Sequence, residues 1–243
     1  MRVSFSVRRT GDEDRTTIEV SPRRVILGGY TARSVEQRDR HIEELRRIGI
    51  EPPPTVPAFW HVSDGLVTTA GAIQVQGHRT SGEAEFALVA HRGQIYVTVA
   101  SDQTDREFER HSIPRSKQLC AKVLGSEVTP LDDVLAAWDD ALLESEVSPD
   151  GDAWIPYQRS SLAELLPPRR LLEAAFGRDA LSDETILLSG TVPLVDGETR
   201  YLPYFRARLT FPGPGPRMEL AYRVEMLSET VEASPGGPTD SSP

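Results

Sequence analysis

A single cysteine, Cys120, stands in a chain of 243 residues. That scarcity excludes a disulfide framework and any zinc site built from several thiolates. Cys120 has no matched base in the sequence and reads as a small apolar residue, not a nucleophile. No apolar run approaches 18 residues, so no helical membrane span is expected. The N-terminal Met-Arg-Val-Ser-Phe-Ser-Val alternates where a secretory signal would hold an apolar block. Basic residues form no cluster interleaved with aromatics, and the net charge is −10. Nucleic acid and anionic membrane surfaces are therefore excluded as expected partners. There is no internal repeat. What is present is an ordinary globular composition, 38% hydrophobic and 26% charged, with chain enough for one sizeable core. These features together lead to the expectation of a cytoplasmic protein.

The pattern along the chain is mostly that of strands. Residues 2–8 alternate polar and apolar, and Thr16–Val20 can pair with them across Gly11–Asp14, giving an N-terminal hairpin over 1–24. Arg24–Leu27 reads as a short strand ending at Gly28-Gly29. A helix over 34–48 follows, with Ser34 and Gln37 spaced as a capping box and Gly49 at its end. Pro52-Pro53-Pro54 and Pro57 form a stiff connector to a strand at Phe59–Val62. Val67–Gln76 and Glu83–Ala100 read as β, the second folding back on itself at His91-Arg92-Gly93. Leu131–Leu143 reads as a helix with Val134, Leu135, Trp138, Ala141 and Leu142 on one face. Ser161–Leu166 and Pro168–Phe176 read as short helices, Thr185–Ser189 as a strand, and Tyr204–Phe211 with Met218–Leu227 as a late hairpin. Residues 228–243 lack apolar content and are expected to be a loose tail. The fold class expected is mixed, β-rich α+β, as one domain over 1–227.

The chemistry concentrates in acids. Glu83 and Glu85 sit at i and i+2, on one face of a strand whose next residues are apolar on both faces. Adjacent carboxylates entering such a strand repel each other and resist desolvation, and a cation resolves both problems. If the turn is Arg92-Gly93, opposed residues sum to 185 and Glu83 faces Asp102. Three carboxylates then form a hard oxygen set suited to Mg²⁺ or Mn²⁺, with Ca²⁺ as a further candidate. The alternative is a solvated strand edge. On the predicted helix, His41 and Glu44 share a face at i and i+3, as a base held by a carboxylate or as a surface ion pair.

Gly82-Glu83-Ala84-Glu85-Phe86-Ala87-Leu88-Val89, followed by Ser101-Asp102-Gln103-Thr104-Asp105-Arg106, resembles the fumarylacetoacetate hydrolase family. That family carries a Glu-x-Glu strand and a later Asn-Asp-x-(Ser/Thr)-x-Arg segment. The resemblance runs from about residue 25 to residue 226, with the motifs in the family's order. Gly28-Gly29-Tyr30 with His41-x-x-Glu44 resembles its lid segment, and Phe59-Trp60-His61 its Phe-x-Lys. Ser116-Lys117 resembles its Lys-x-x-Asp region, Tyr157-Gln158 its Arg-Gln, and Leu188-Ser189-Gly190-Thr191-Val192-Pro193 its Thr-Gly-Thr-Pro turn. Four positions depart: Ser101 replaces Asn, His61 replaces Lys, Ser81-Gly82 stand where a His often precedes the Glu-x-Glu, and the Asp after Lys117 is missing. The chain also resembles a divergent bacterial branch of that superfamily catalogued as a domain of unknown function.

The resemblance implies a β-roll or sandwich of mixed sheets with a few short peripheral helices, and a homodimer. It implies a metal held by Glu83, Glu85 and Asp102, with His41, Glu44 and Lys117 as catalytic residues. Tyr30, His61, Arg106, Gln158 and Thr191 would bind a small carboxylate substrate. The activity implied is cleavage of a C–C bond in a 1,3-dicarbonyl or 2-oxo acid through a stabilised enolate. Decarboxylation, dehydration or isomerisation on the same scaffold, and a non-catalytic binding protein, are the alternatives. His78, His91 and His111 match no motif and read as structural or exposed.

Overall fold

A computed structural model describes residues 2–9, 15–47 and 53–228, except for the side chains of Gln37, Arg40, His41, Glu44, Leu45 and Arg47. Along the chain, β1 (Val3–Val7) and β2 (Thr16–Val20) pair antiparallel, as their alternation demands. β3 (Arg24–Gly29) leads into helix α1 (Val35–Arg47), after which β4 (Ala58–Val62) returns antiparallel to β3. The short strands β5 (Val67–Thr68), β6 (Ala72–Val75) and β7 (Thr80–Ser81) precede the central hairpin of β8 (Ala84–His91) and β9 (Gln94–Asp102). Then come β10 (Thr104–Asp105), α2 (Arg106–Glu109), α3 (Ile113–Gln118), β11 (Lys122–Leu124) and β12 (Glu127–Pro130). The last part holds β13 (Leu142–Ser148), β14 (Ile155–Ser161), α4 (Pro168–Phe176), β15 (Thr185–Leu188), β16 (Tyr204–Thr210) and β17 (Arg217–Met226).

The strands make a ten-stranded mixed sheet ordered β2-β1-β12-β9-β8-β15-β3-β4, with β11 alongside β9 and β5 alongside β11. A five-stranded sheet follows the order β14-β13-β16-β17-β6, and β10 and β7 form a separate ribbon. The fold is thus mostly β, with mixed sheets and few short helices. Two cores lie on opposite faces of the large sheet. Phe86, Leu88, Val97 and Val99 meet Phe205, Leu209 and Tyr222 of the small sheet. Ala87, Val89 and Ala100 join Phe5, Leu27, Leu124 and Val128 on the other face. Both faces of β8 are therefore covered, and all eight of its residues are buried. Alternation along the strand puts Glu85 and Asp102 on the second face, in line with Ala87 and Ala100.

Several expectations need correction. The segment 131–143 is not one helix: Leu131–Asp133 and Leu135–Asp140 are 3₁₀ turns, with Ala137 out of helical geometry at φ −109°. Trp138 still reaches the core, edge-on to Phe86 at 4.9 Å, whereas Leu135 is exposed. Leu142 opens a strand because the alternation Leu143, Ser145, Val147 inward and Glu144, Glu146 outward suits a sheet with one solvated face. Val67–Gln76 is two strands interrupted at Gly71, and Ser161–Leu166 holds only a 3₁₀ turn, Leu162–Glu164. Ser34 precedes α1 as expected, and its hydroxyl bonds Glu36 at 2.7 Å; the Gln37 side chain of the expected capping box lies outside the described residues. The expected helix end at Gly49 and the tail beyond residue 228 lie outside the described residues.

Candidate metal and acid–base site

Arg92 and Gly93 both adopt positive φ, 50° and 75°, as a two-residue hairpin turn requires. The pairing that results is Ala84 with Ser101 and Glu85 with Ala100, the register expected from the sequence. Asp102 N–H then donates to Glu83 O at 3.0 Å. One oxygen each from Glu83, Glu85 and Asp102 lie within 4.8 Å of one another. Glu85 and Asp102 are almost completely buried, at 1% and 0% exposure.

Three cations of the chain surround these acids. Lys117, from α3, lies 3.0 Å from Glu83 Oε2 and 2.5 Å from Asp102 Oδ2. Lys122, paired opposite Asp102 on β11, lies 2.7 Å from Asp102 Oδ1 and donates to Gln103 O at 2.8 Å. Arg106 starts α2, whose first turn is capped by Asp105. Its guanidinium spans Glu83 at 3.1 Å and Glu109 at 3.0 Å, and its Nε donates to Ser81 Oγ at 2.7 Å. Four carboxylates thus face three cations. Among the described residues the acid without a salt bridge is Glu85, which accepts only the Gly190 N–H, at 2.8 Å.

The electrostatics follow from that imbalance. Burial drives the Glu83 carboxyl upward, but Arg106 and Lys117 overcome it and hold the group down at about 2. Glu85 moves the opposite way: burial, then the charges of Asp102 and Glu83, raise it well above its ordinary value. Lys117 is raised despite burial, because Asp102 and Glu83 favour its charged form. Tyr30 is pushed up to about 12, chiefly by burial and then by Glu109, so its hydroxyl stays protonated. It stands at φ 58° after Gly28-Gly29, edge-on to Trp60 at 6.5 Å.

A family model described as "Protein of unknown function (DUF2848)" matches residues 28–222, a span that contains every group of this cluster. The chain belongs to the DUF2848 family. No curated protein matches it in sequence. Among solved structures it is similar to Cg1458 with an inhibitor, with a TM-score of 0.64 and 14% identity over 90% of this chain and 84% of that one. It is also similar to 2-keto-3-deoxyarabinonate dehydratase in a hexagonal crystal form, with a TM-score of 0.64 and 17% identity over 90% and 80%. A structure of the 2-keto-3-deoxy-D-arabinonate dehydratase with magnesium and 2,5-dioxopentanoate gives a TM-score of 0.60 and 17% identity over 90% and 78%. At these identities the likeness shows a shared fold.

In this DUF2848 chain the remaining sequence-derived residues divide. Arg106 and Lys117 meet the acids directly. Gln158 and Thr191 sit behind them: the Gln158 amide donates to Thr191 Oγ1 and Val192 O, both at 2.7 Å, and accepts from Ala84 N–H at 2.9 Å and Ser145 Oγ at 3.0 Å. Thr191 Oγ1 donates to Ala84 O at 2.9 Å. All four bonding capacities of Gln158 are used within the protein, so it fixes the residue between the two glutamates and has none left for a substrate. His61 is exposed on the edge strand β4, opposite Ile26, and makes no contact with the cluster among the described residues. The His41 and Glu44 side chains lie outside the described residues, although α1 includes their backbone.

Lys122 and Glu109 were not singled out from the sequence. A signal for Lys122 existed: only two of the 27 basic residues are lysine, and both ammonium groups touch Asp102. The departure at Ser81-Gly82 also has a physical reason. A side chain at Gly82 would meet Tyr222 Oη at 2.6 Å and Phe205 at 2.7 Å, and Ser81 Oγ is bonded by Arg106. Of the other histidines, His91 is buried against Glu184 at 2.8 Å, while His78 and His111 are exposed. Cys120 is buried, which pushes its thiol up to about 11.

Proposed function

We propose that this chain is a divalent-metal-dependent enzyme acting on a 2-oxo acid or 1,3-dicarbonyl compound, as a hydrolase or lyase at a C–C bond. The observation that supports it most is the surplus carboxylate. Glu85 is buried beside Glu83 and Asp102 and lacks a cationic partner among the described residues, the arrangement a bound cation balances. An all-oxygen set fits Mg²⁺ or Mn²⁺, and Glu83, Glu85 and Asp102 would hold it. When bound, the ion supplies Lewis acidity toward the paired oxygens of the substrate. Lys117, held charged by Asp102 and Glu83, faces negative charge that develops on a substrate oxygen. The protonated Tyr30 hydroxyl donates to the same region. Gln158 and Thr191 aim the two glutamates by fixing Ala84. His41, oriented by Glu44, takes a proton from water in hydrolysis, or from a substrate carbon in dehydration or isomerisation. A dehydratase of the same fold holds magnesium and 2,5-dioxopentanoate, which supports the 2-oxo acid class and keeps the lyase reaction beside hydrolysis. A homodimer belongs to the same proposal, and sedimentation checks it.

A second reading has its own observation. Lys117 and Lys122 already bridge Asp102, and a metal-free binding protein could keep that network as a polar core. Titration with Mn²⁺ separates the two. One Mn²⁺ per chain is expected, lost in Glu83→Gln and kept in His41→Ala. Turnover of a 2-oxo acid panel should vanish on chelation and in His41→Ala. A protein that takes up neither Mn²⁺ nor Mg²⁺ sinks the enzyme reading.

A further inference from the structure

Access to the three acids is one-sided. Asp102 and Lys122 side chains are 0% exposed, Glu85 is 1% exposed, and Lys117 only slightly more. Solvent reaches the cluster at Glu83, Arg106 and Glu109, whose side chains are 14%, 18% and 13% exposed. A ligand that touches the acids therefore enters past these three groups. Their charges are two carboxylates and one guanidinium, and that guanidinium is shared by both carboxylates. Lys117 and Lys122 are likewise committed to Asp102 and Glu83. The three cations that meet the acids are thus all committed to carboxylates of the protein.

We propose that Glu109 makes this site select a 2-oxo acid with a single carboxylate and an uncharged distal end, and reject one with a second carboxylate. The inference rests on reading Glu83, Glu85 and Asp102 as a cation site. Among the described residues, Glu83, Glu85, Asp102 and Glu109 set against Lys117, Lys122 and Arg106 leave one negative charge, and a divalent ion turns it into one positive charge. A monoanionic 2-oxo acid brings the site to neutrality. A dianion brings it to a net negative charge in a poorly solvated place, with its distal carboxylate at the opening that Glu109 lines. Glu109 uses Oε2 on Arg106, so its second oxygen is an acceptor for a hydroxyl on the distal part of the substrate.

Calorimetry on the Mn²⁺-loaded protein with two five-carbon probes, 2-oxopentanoate and 2-oxoglutarate, tests this without relying on turnover. Wild type should bind 2-oxopentanoate about tenfold more tightly. Glu109→Gln keeps the shape and an acceptor for Arg106, and should erase most of that ratio by strengthening 2-oxoglutarate. Glu107→Gln removes the same charge from the exposed side of the same helix and should leave the ratio unchanged. A wild-type preference for 2-oxoglutarate overturns the inference. So does an unaltered ratio in Glu109→Gln, or an equal shift in Glu107→Gln. Failure to bind Mn²⁺ overturns the metal reading and this inference together, whereas Mn²⁺ bound with the wrong ratio overturns this inference alone.

Discussion

The two ends of the β8–β9 hairpin each gather charges, with opposite results. At the turn, His91 Nδ1 meets Glu184 Oε1 at 2.8 Å, with the side chains 10% and 22% exposed. The second Glu184 oxygen accepts Ser21 N–H, and Asp183 accepts Gly93 N–H at 2.8 Å. Each acid there has a backbone donor and some water. At the far end Glu83, Glu85 and Asp102 crowd within 4.8 Å under two covered sheet faces, and the cations nearby do not match the acids in number. Partial solvation lets the first cluster work as a latch between loops. Burial at the second makes every mismatch of charge costly. On the proposed reading, function lies at one end and structure at the other, although both are built from the same pair of strands.

The comparison breaks most visibly if Lys122 is removed. Its ammonium is fully buried on Asp102 and Gln103 O, and Lys122→Met strands a buried charge. Urea denaturation of the metal-free protein should show a loss of about 3–5 kcal/mol. Asp102 then has more negative charge to offer, so Mn²⁺ should bind more tightly and restore part of the lost stability. Glu85→Gln should do the reverse: the metal-free protein gains about 1–3 kcal/mol, and Mn²⁺ affinity falls steeply. The pH dependence of metal-free stability sharpens the contrast. Glu83, held down at about 2, contributes stability that is present above its ordinary value of 4.5 and is lost as pH falls toward 2. Glu85 is raised, so its contribution is full below 4.5 and is lost as pH rises toward the folded-state value. Wild type should therefore weaken on both sides, and Glu85→Gln only on the acid side. An unchanged alkaline limb in Glu85→Gln would remove the surplus charge from that residue.

Much of this asymmetry was legible in the sequence, because hairpin register is arithmetic. With Arg92-Gly93 as the turn, Glu83 falls opposite Asp102, and the apolar run after Glu85 implies burial. The cations were harder. Lys122 meets Asp102 only through the β11–β9 pairing, and a three-residue strand leaves almost no periodic trace. Glu109 faces the opening because α2 is a single capped turn, which charge patterning along a sequence does not reveal. The β13–β14 hairpin was missed for a related reason. Its apolar residues, Leu142-Leu143 then Val147, fit a helical stripe continuing from Trp138 as well as they fit alternation. Only the partners on β16, Arg206 and Arg208 at 2.7 and 2.9 Å from Glu146, make the strand the better place for that glutamate.

Gly82 offers a middle-sized test of how the buried end is held. Its Cα faces Tyr222 and Phe205 so closely that an added methyl would sit 2.6–2.7 Å from them. Gly82→Ala should cost about 1–3 kcal/mol by overpacking and shift Glu83 relative to Arg106, weakening Mn²⁺ binding as well as stability.

His91→Ala, at the other end, should have the smallest effect. It removes one hydrogen bond to Glu184, which keeps Ser21 N–H as a partner, so the expected loss is about 1 kcal/mol. Mn²⁺ affinity and the preference between 2-oxo acids should match wild type. The β8 residues between the two clusters, 86–90, are five buried positions in register with β9 and β15, a rigid path along which a disturbance could travel. If His91→Ala altered Mn²⁺ binding by more than about twofold, the ends would be coupled through that path. The division between a structural end and a functional end would then be wrong, and the hairpin as a whole would be the unit of function.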